Sequence, residues 1–135
     1  METKFFLDSN ILLYLVGDDP KKAAISERLL RQEHTISVQV LNEFVRVTRD
    51  KLKIEWPIVE EALKSAMEFC KVVPLTLEGQ ARAVEICKNH VINIYDANII
   101  AAAELAGCDV LYTEDLNHGQ LIGRVMVSNP FKVEA

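Results

Sequence analysis

Residues 5–16, Phe-Phe-Leu-Asp-Ser-Asn-Ile-Leu-Leu-Tyr-Leu-Val, decide the fold class. Phe5, Phe6 and Leu7 read as a short buried strand. Asp8-Ser9-Asn10 stops it with three residues that favour turns and helix N-caps. Residues 11–16 then read as a short helix ended by Gly17. A buried strand feeding straight into a helix is the start of an alternating α/β chain.

The alternation continues outward from this point. An amphipathic helix is expected over residues 20–32, with Pro20 at its start, where the missing N–H costs nothing. A strand follows at 35–38 and a helix at 40–52. Pro57 opens another helix, with Ile58, Val59, Ala62, Leu63, Ala66 and Met67 as its apolar stripe. Residues 72–75 form a third strand, and Pro74 suggests an edge position. Helices at 77–89 and 95–106 come next, the second closed by Gly107 as its C-cap. Strands at 110–113 and 125–127 complete the set, with 114–123 as the longest loop. Strands alternating with helices predict a mainly parallel sheet of five strands, covered on both faces. No repeat, low-complexity tract or linker divides residues 1–135, which are expected to be one domain.

Composition narrows the class without naming a substrate. Half of the 135 residues are apolar and 26% are charged, a globular profile. No apolar run approaches the roughly 18 residues of a membrane span, and the start lacks the layout of a signal peptide. A cytoplasmic protein is expected. Cys70, Cys87 and Cys108 are odd in number, lack metal-type spacing and sit among apolar neighbours, so they read as reduced, buried small hydrophobes. The net charge of −5 argues against non-specific coating of nucleic acid but leaves a nucleic-acid enzyme open. Gly-x-Gly-x-x-Gly, the phosphate-loop Gly-Lys-Ser/Thr and the Gly-x-Ser-x-Gly elbow are all missing. The first strand ends in Asp-Ser-Asn, which suits neither an aspartyl-nucleophile phosphatase nor a receiver domain.

Four acids carry the chemistry: Asp8, Glu43, Asp96 and Asp115. Each has a structural account when taken alone. Asp8 suits an N-cap, Asp96 suits the dipole at a helix start, and Asp115 suits a turn. Glu43 borders an apolar arc of Val40, Phe44, Val47 and Thr48. On its own helix, Asp96 lies in line with Ile99, Ile100 and Ala103, at the end of the buried face. Taken together, three of the four fall at strand carboxyl ends or helix starts, where α/β sheets bind ligands. Clustered carboxylates repel one another without a cation, and Mg²⁺ or Mn²⁺ takes hard oxygen ligands of this kind. Thr113 and Asn117 flank Asp115 and are candidates to orient it, bind water or complete a metal shell; Asn10 and Asn98 suit similar work. Arg46 and Arg49 lie on the polar flank of the helix of Glu43, with Lys51 and Lys53 beyond, and suit phosphates or a solvated basic face. His118 reads as a loop histidine or a phosphate contact, and His34 and His90 as chemically silent.

Four segments resemble the PIN-domain nucleases: Phe-Leu-Asp-Ser-Asn at the start, Asn42-Glu43-Phe44, residues 95–103 (Tyr-Asp-Ala-Asn-Ile-Ile-Ala-Ala-Ala), and residues 111–116 (Leu-Tyr-Thr-Glu-Asp-Leu). Length and ending are similar to the small VapC-type toxins of toxin–antitoxin modules. The resemblance spans essentially the whole chain. It implies a three-layer α/β/α sandwich with about five strands and endoribonuclease activity dependent on one or two Mg²⁺ or Mn²⁺ ions. By that match Asp8, Glu43, Asp96 and Asp115 are the catalytic metal ligands and Thr113 is a hydroxyl near the site. The position of Asn117 is often acidic in the family and is neutral here, which lowers the ligand charge. The family usually leaves 5′-phosphate and 3′-hydroxyl ends. Similar toxins are homodimers silenced by a cognate antitoxin whose tail enters the acidic groove. The competing readings are a stand-alone PIN-type nuclease in RNA processing and a catalytically silent acidic binding module.

Overall fold

The structure, a computed structural model, describes residues 2–133, with the side chain of Val133 excepted. The outermost residues of the expected 1–135 domain therefore lie outside the described residues. Along the chain run β1 (Phe5–Leu7), α1 (Ser9–Leu13), α2 (Pro20–Leu30), β2 (His34–Ser37), α3 (Val38–Arg46), α4 (Trp56–Phe69), β3 (Cys70–Val73) and α5 (Leu77–Asn89). After these come α6 (Ile94–Leu105), β4 (Val110–Tyr112), β5 (Leu121–Ile122), β6 (Val125–Ser128) and α7 (Pro130–Val133).

The strands form one sheet in the order β3-β2-β1-β4-β6-β5. Every pairing is parallel except β5 with β6. The expected five strands are thus six. The extra one, β5, has two residues and lies inside the stretch expected as a loop, too short to show a period-2 pattern. β3 sits at an edge, and Pro74 follows its last residue, where no ladder N–H is required.

Phe6 and Leu7 are consecutive and both fully buried, so the sheet is covered on both faces at its centre. Ile36, Leu111 and Val127 add their side chains to this core, with Ile99, Ile100 and Phe44 from the helices. α5 and α6 pack tightly side by side. Five helix starts are fixed locally: Asp8, Asp19, Ser37, Thr76 and Asn93 cap α1, α2, α3, α5 and α6 with their side chains.

The helix expected over 40–52 is not uniform. α3 ends at Arg46 and passes into a π-helical turn at Val47–Lys51. Thr48 is buried there, and its hydroxyl donates to the carbonyls of Phe44 (2.8 Å) and Val45 (3.2 Å). A side chain bonding back into the previous turn loosens the regular ladder.

Gly123 sits at φ +58 between β5 and β6. A Cβ at this residue would lie 2.1 Å from Glu104 Oε2, in the ion pair that Arg82 makes with Glu104. Gly123→Ala is therefore expected to destabilise the fold by about 1–2 kcal/mol, through left-handed strain and displacement of that pair. Thermal melts check this, and an unchanged melting temperature would refute it.

Candidate active site at the carboxyl edge of the sheet

Asp8 is the first residue past β1. Its N–H donates to Tyr112 O at 3.0 Å, extending the β1–β4 ladder by one step. That step buries the carboxylate at the sheet edge, leaving Asp8 2% exposed. One oxygen, Oδ1, caps α1 by accepting from Ser9 N at 2.6 Å. The other, Oδ2, accepts from Thr113 Oγ1 at 2.8 Å. N-cap and candidate ligand are one residue.

Thr113, just beyond β4, is fully buried and joins the site together. Its hydroxyl donates to Asp8 and accepts from Asn10 Nδ2 (3.0 Å) and from Asp115 N (3.1 Å). One donor and two lone pairs are all used. Asn10 donates a second bond to Asp115 Oδ2 at 3.0 Å, so the exposed Asp115 is tied to the buried layer. Glu43 projects from α3 and accepts from Ser9 Oγ at 3.1 Å. Asp96 lies in the first turn of α6, where Asn93 holds both its N–H (2.9 Å) and its carboxylate (3.0 Å).

The four acids feel one another. Burial pushes the Asp8 carboxyl up to about 7, opposed by the Thr113 and Ser9 hydrogen bonds and reinforced by the charges of Glu43 and Asp96. Asp96 is raised too, by burial first and then by the charges of Glu43 and Asp115. Glu43, Asp96 and Asp115 line a cleft of about 610 Å³, with Arg46 and Lys51 on its rim. Among the described residues, no three acidic, histidine or cysteine side chains stand close enough to enclose one ion directly.

Sequence matching covers residues 5–121 with the description PIN domain, from β1 to the first residue of β5. The chain belongs to the PIN domain family. All four acids and Thr113 fall inside the matched region. Solved structures share the fold. A toxin–antitoxin complex from Klebsiella pneumoniae matches at 23% identity with a TM-score of 0.68, over 94% of this chain and 98% of that one. VapC20 of Mycobacterium tuberculosis, described as a sarcin–ricin loop cleaving toxin, matches at 19% identity and a TM-score of 0.65, over 83% of this chain and 90% of that one. FitAcB from Neisseria gonorrhoeae matches at 20% identity and a TM-score of 0.68, covering 94% and 98% of the two chains. Among curated proteins, none matches the sequence.

Other sequence candidates divide. Within the PIN domain, Asn10, Thr113 and Arg46 are at the cleft or directly beneath it. Asn117 is exposed and outside the cleft lining, and its backbone carbonyl accepts from Gln120 N at 3.1 Å. Arg49 does not face the cleft: it donates to Ile54 O at 2.8 Å and lies 4.6 Å over the Trp56 ring. His118 is a local brace, its Nδ1 accepting from Asn129 N at 2.9 Å. His34 is buried in the core beside Phe5 and Tyr112. Cys70 and Cys108 are buried and Cys87 half-buried, all three as free thiols. Among the described residues, no helix is long and apolar enough to cross a membrane.

Glu114 also lines the cleft and was not singled out from the sequence. Its carboxylate is held by Tyr14 OH and by Lys22 Nζ at 2.9 Å, and that ammonium lies 4.9 Å from the Tyr14 ring centre and 5.1 Å from that of Phe131. These partners come from distant segments, so no local pattern marks the residue. Its charge is neutralised within the cluster, and Lys22 is correspondingly held above its ordinary range by Glu114 and Tyr14.

Proposed function

We propose that this PIN domain is a divalent-metal-dependent endoribonuclease, acting as a single domain in the cytoplasm as the toxin of a toxin–antitoxin pair. The observation that carries the reading is Glu43, Asp96 and Asp115 lining one cleft of a PIN fold, with the buried Asp8 coupled to Glu43 and Asp96. Among the described residues, the ion pairs of the chain involve none of these four acids. A buried carboxylate pressed by like charges calls for a cation.

The donor set fits Mg²⁺ or Mn²⁺, since all four side chains offer hard oxygens. Mg²⁺ keeps several waters and is held through one or two carboxylates plus substrate phosphate, which suits acids that do not converge as a direct triad. Asp8 and Asp96, the acids held most firmly, would be the inner ligands; Glu43 and Asp115 would complete one or two positions from the cleft walls. When bound, the metal lowers the pKa of a water and stabilises in-line displacement at the phosphodiester. The protein's part is positional. Thr113 and Asn10 fix the orientations of Asp8 and Asp115, Asn93 fixes Asp96, and Ser9 spans Asp8 and Glu43. Arg46 and Lys51 on the rim supply cations for flanking phosphates of the RNA.

A cognate antitoxin is proposed because structures with this fold include toxin–antitoxin complexes. An acidic cleft suits a basic antitoxin segment through complementary charge. A homodimer belongs to the same reading; Leu77 and Val84 on α5 and Val91 just beyond it are exposed apolar side chains that a second copy would cover.

The test is cleavage of single-stranded RNA with Mn²⁺ or Mg²⁺. Asp96→Asn and Glu43→Gln are expected to lower the rate by about 10²–10⁴-fold with circular dichroism unchanged. Chelation should remove wild-type cleavage reversibly. Full cleavage by both variants, or in excess chelator, would sink the proposal.

A further inference from the structure

The cleft does not end at Asp96. A second hollow of about 290 Å³ adjoins it, and the two share Gln39 and Tyr95 as common walls. Gln39, Thr76, Gln80, Tyr95 and Asn98 supply its polar and aromatic lining, together with two aliphatic side chains. The residues come from the start of α3, the β3–α5 connection, the first turn of α5 and the first two turns of α6, all at the carboxyl edge of the parallel sheet.

Its chemistry differs from that of the cleft. The lining has no charged group. Three amides and a hydroxyl line it together with Tyr95, which is 63% exposed and stands one residue before Asp96. Among the described residues, Asn98 Oδ1 is buried and without a hydrogen-bond partner. A buried, unpaired acceptor is costly unless a ligand supplies the donor. A flat exposed ring with amides around it suits a group having a π-face and a hydrogen-bonding edge.

We propose that this hollow is a nucleobase subsite, taking one unpaired base of the RNA next to the scissile phosphate. The proposal rests on the ribonuclease reading of the neighbouring cleft. The base stacks on Tyr95 and its edge meets the amides of Gln39 and Gln80; Asn98 Oδ1, closed off from solvent in this structure, gains the donor it lacks when its side chain turns toward the base. Arg46 and Lys51, which line the cleft but not the hollow, contact phosphates, which carry no sequence information. The strand thus crosses the acids between a charge-reading side and a base-reading side. The volume lies at the small end of ligand cavities, a size sufficient for one base.

The experiment uses the full chain and short single-stranded RNAs that differ at one nucleotide beside the cut. The wild type should favour particular bases there. Asn98→Ala and Tyr95→Ala should each raise KM about tenfold and flatten that preference, with kcat held within about threefold. Tyr95→Phe keeps the ring and should behave as wild type. Asn98→Ala removes an unpaired atom, so its melting temperature should not fall. Unchanged KM and preference in Asn98→Ala would overturn the subsite. So would a Tyr95→Ala variant whose main change is its oligomeric state by light scattering, because the hollow would then belong to self-association. If the wild type cuts no RNA, the ribonuclease reading fails separately. Equilibrium binding of the same oligonucleotides then decides the subsite: about tenfold weaker binding by Asn98→Ala supports it, and equal binding overturns it.

Discussion

Asp8→Asn is expected to abolish RNA cleavage and, in metal-free buffer at neutral pH, to raise the melting temperature. Activity should fall by about three orders of magnitude, because a neutral amide cannot replace a carboxylate that holds a divalent cation. The stability gain has a separate origin. Asp8 has an ordinary value of 3.8 and is pushed up to about 7 by burial. Between those values the folded chain binds more protons than the unfolded one, so stability falls as pH rises. The cost is absent below about pH 4 and complete above about pH 7. The difference bounds it at about 4 kcal/mol. The gain should be smaller than that bound, because the new amide presents donors to Thr113, whose hydroxyl now donates to Asp8. Melts of the variant and wild type in chelator should coincide near pH 4 and separate by several degrees near pH 8, with the variant higher. A variant that melts below wild type at pH 8 would refute the account.

The burial of Asp8 among like charges bears on which parts of the site could be read in the sequence. Asp8 was ambiguous because N-caps and sheet-edge ligands occupy the same chain position. The structure shows one carboxylate doing the capping while remaining buried among other acids. Asp96 was legible from helix periodicity, since a helix start in line with Ile99 and Ile100 has to end near the core. Glu43 was the least legible. Its partner, Ser9, lies 34 residues away, and no local pattern reports such a distance.

The fold was legible where short-range chemistry decides it. Capping residues, Gly107 and the apolar runs placed nearly every helix and strand. What escaped depends on contacts formed only after folding. β5 exists because β6 pairs with it. The π-helical turn exists because Thr48 is buried and bonds back to Phe44 and Val45. By helical position Arg49 suited either a phosphate or a solvated basic face, yet it lies over Trp56, seven residues on. The turn leaves Arg46 and Lys51, rather than Arg49, on the cleft. Periodicity gives a residue's direction on an ideal helix, and one irregular turn is enough to change which cation faces the cleft.

Thr113→Val tests whether the acids act singly or as one bonded layer. Valine has nearly the shape of threonine, so packing in this fully buried place is preserved and only the hydroxyl is lost. Asp8 Oδ2 then loses its 2.8 Å donor, while Asn10 Nδ2 and Asp115 N lose a common acceptor. Leaving buried polar groups unpaired costs about 1–3 kcal/mol, read as a lower melting temperature. The larger effect should fall on the metal. Partners that orient ligating carboxylates are typically worth about 10–100-fold in affinity or activity. Thr113→Val is therefore expected to raise the Mn²⁺ concentration needed for half-maximal cleavage by about that factor, with KM for RNA little changed. Thr113→Ser restores the hydroxyl and should recover most of the metal affinity even though it lacks the methyl group. If the valine variant needs no more metal than wild type, Thr113 merely packs the core. Asp8 and Asp115 would then have to be positioned by Ser9 and Asn10 alone.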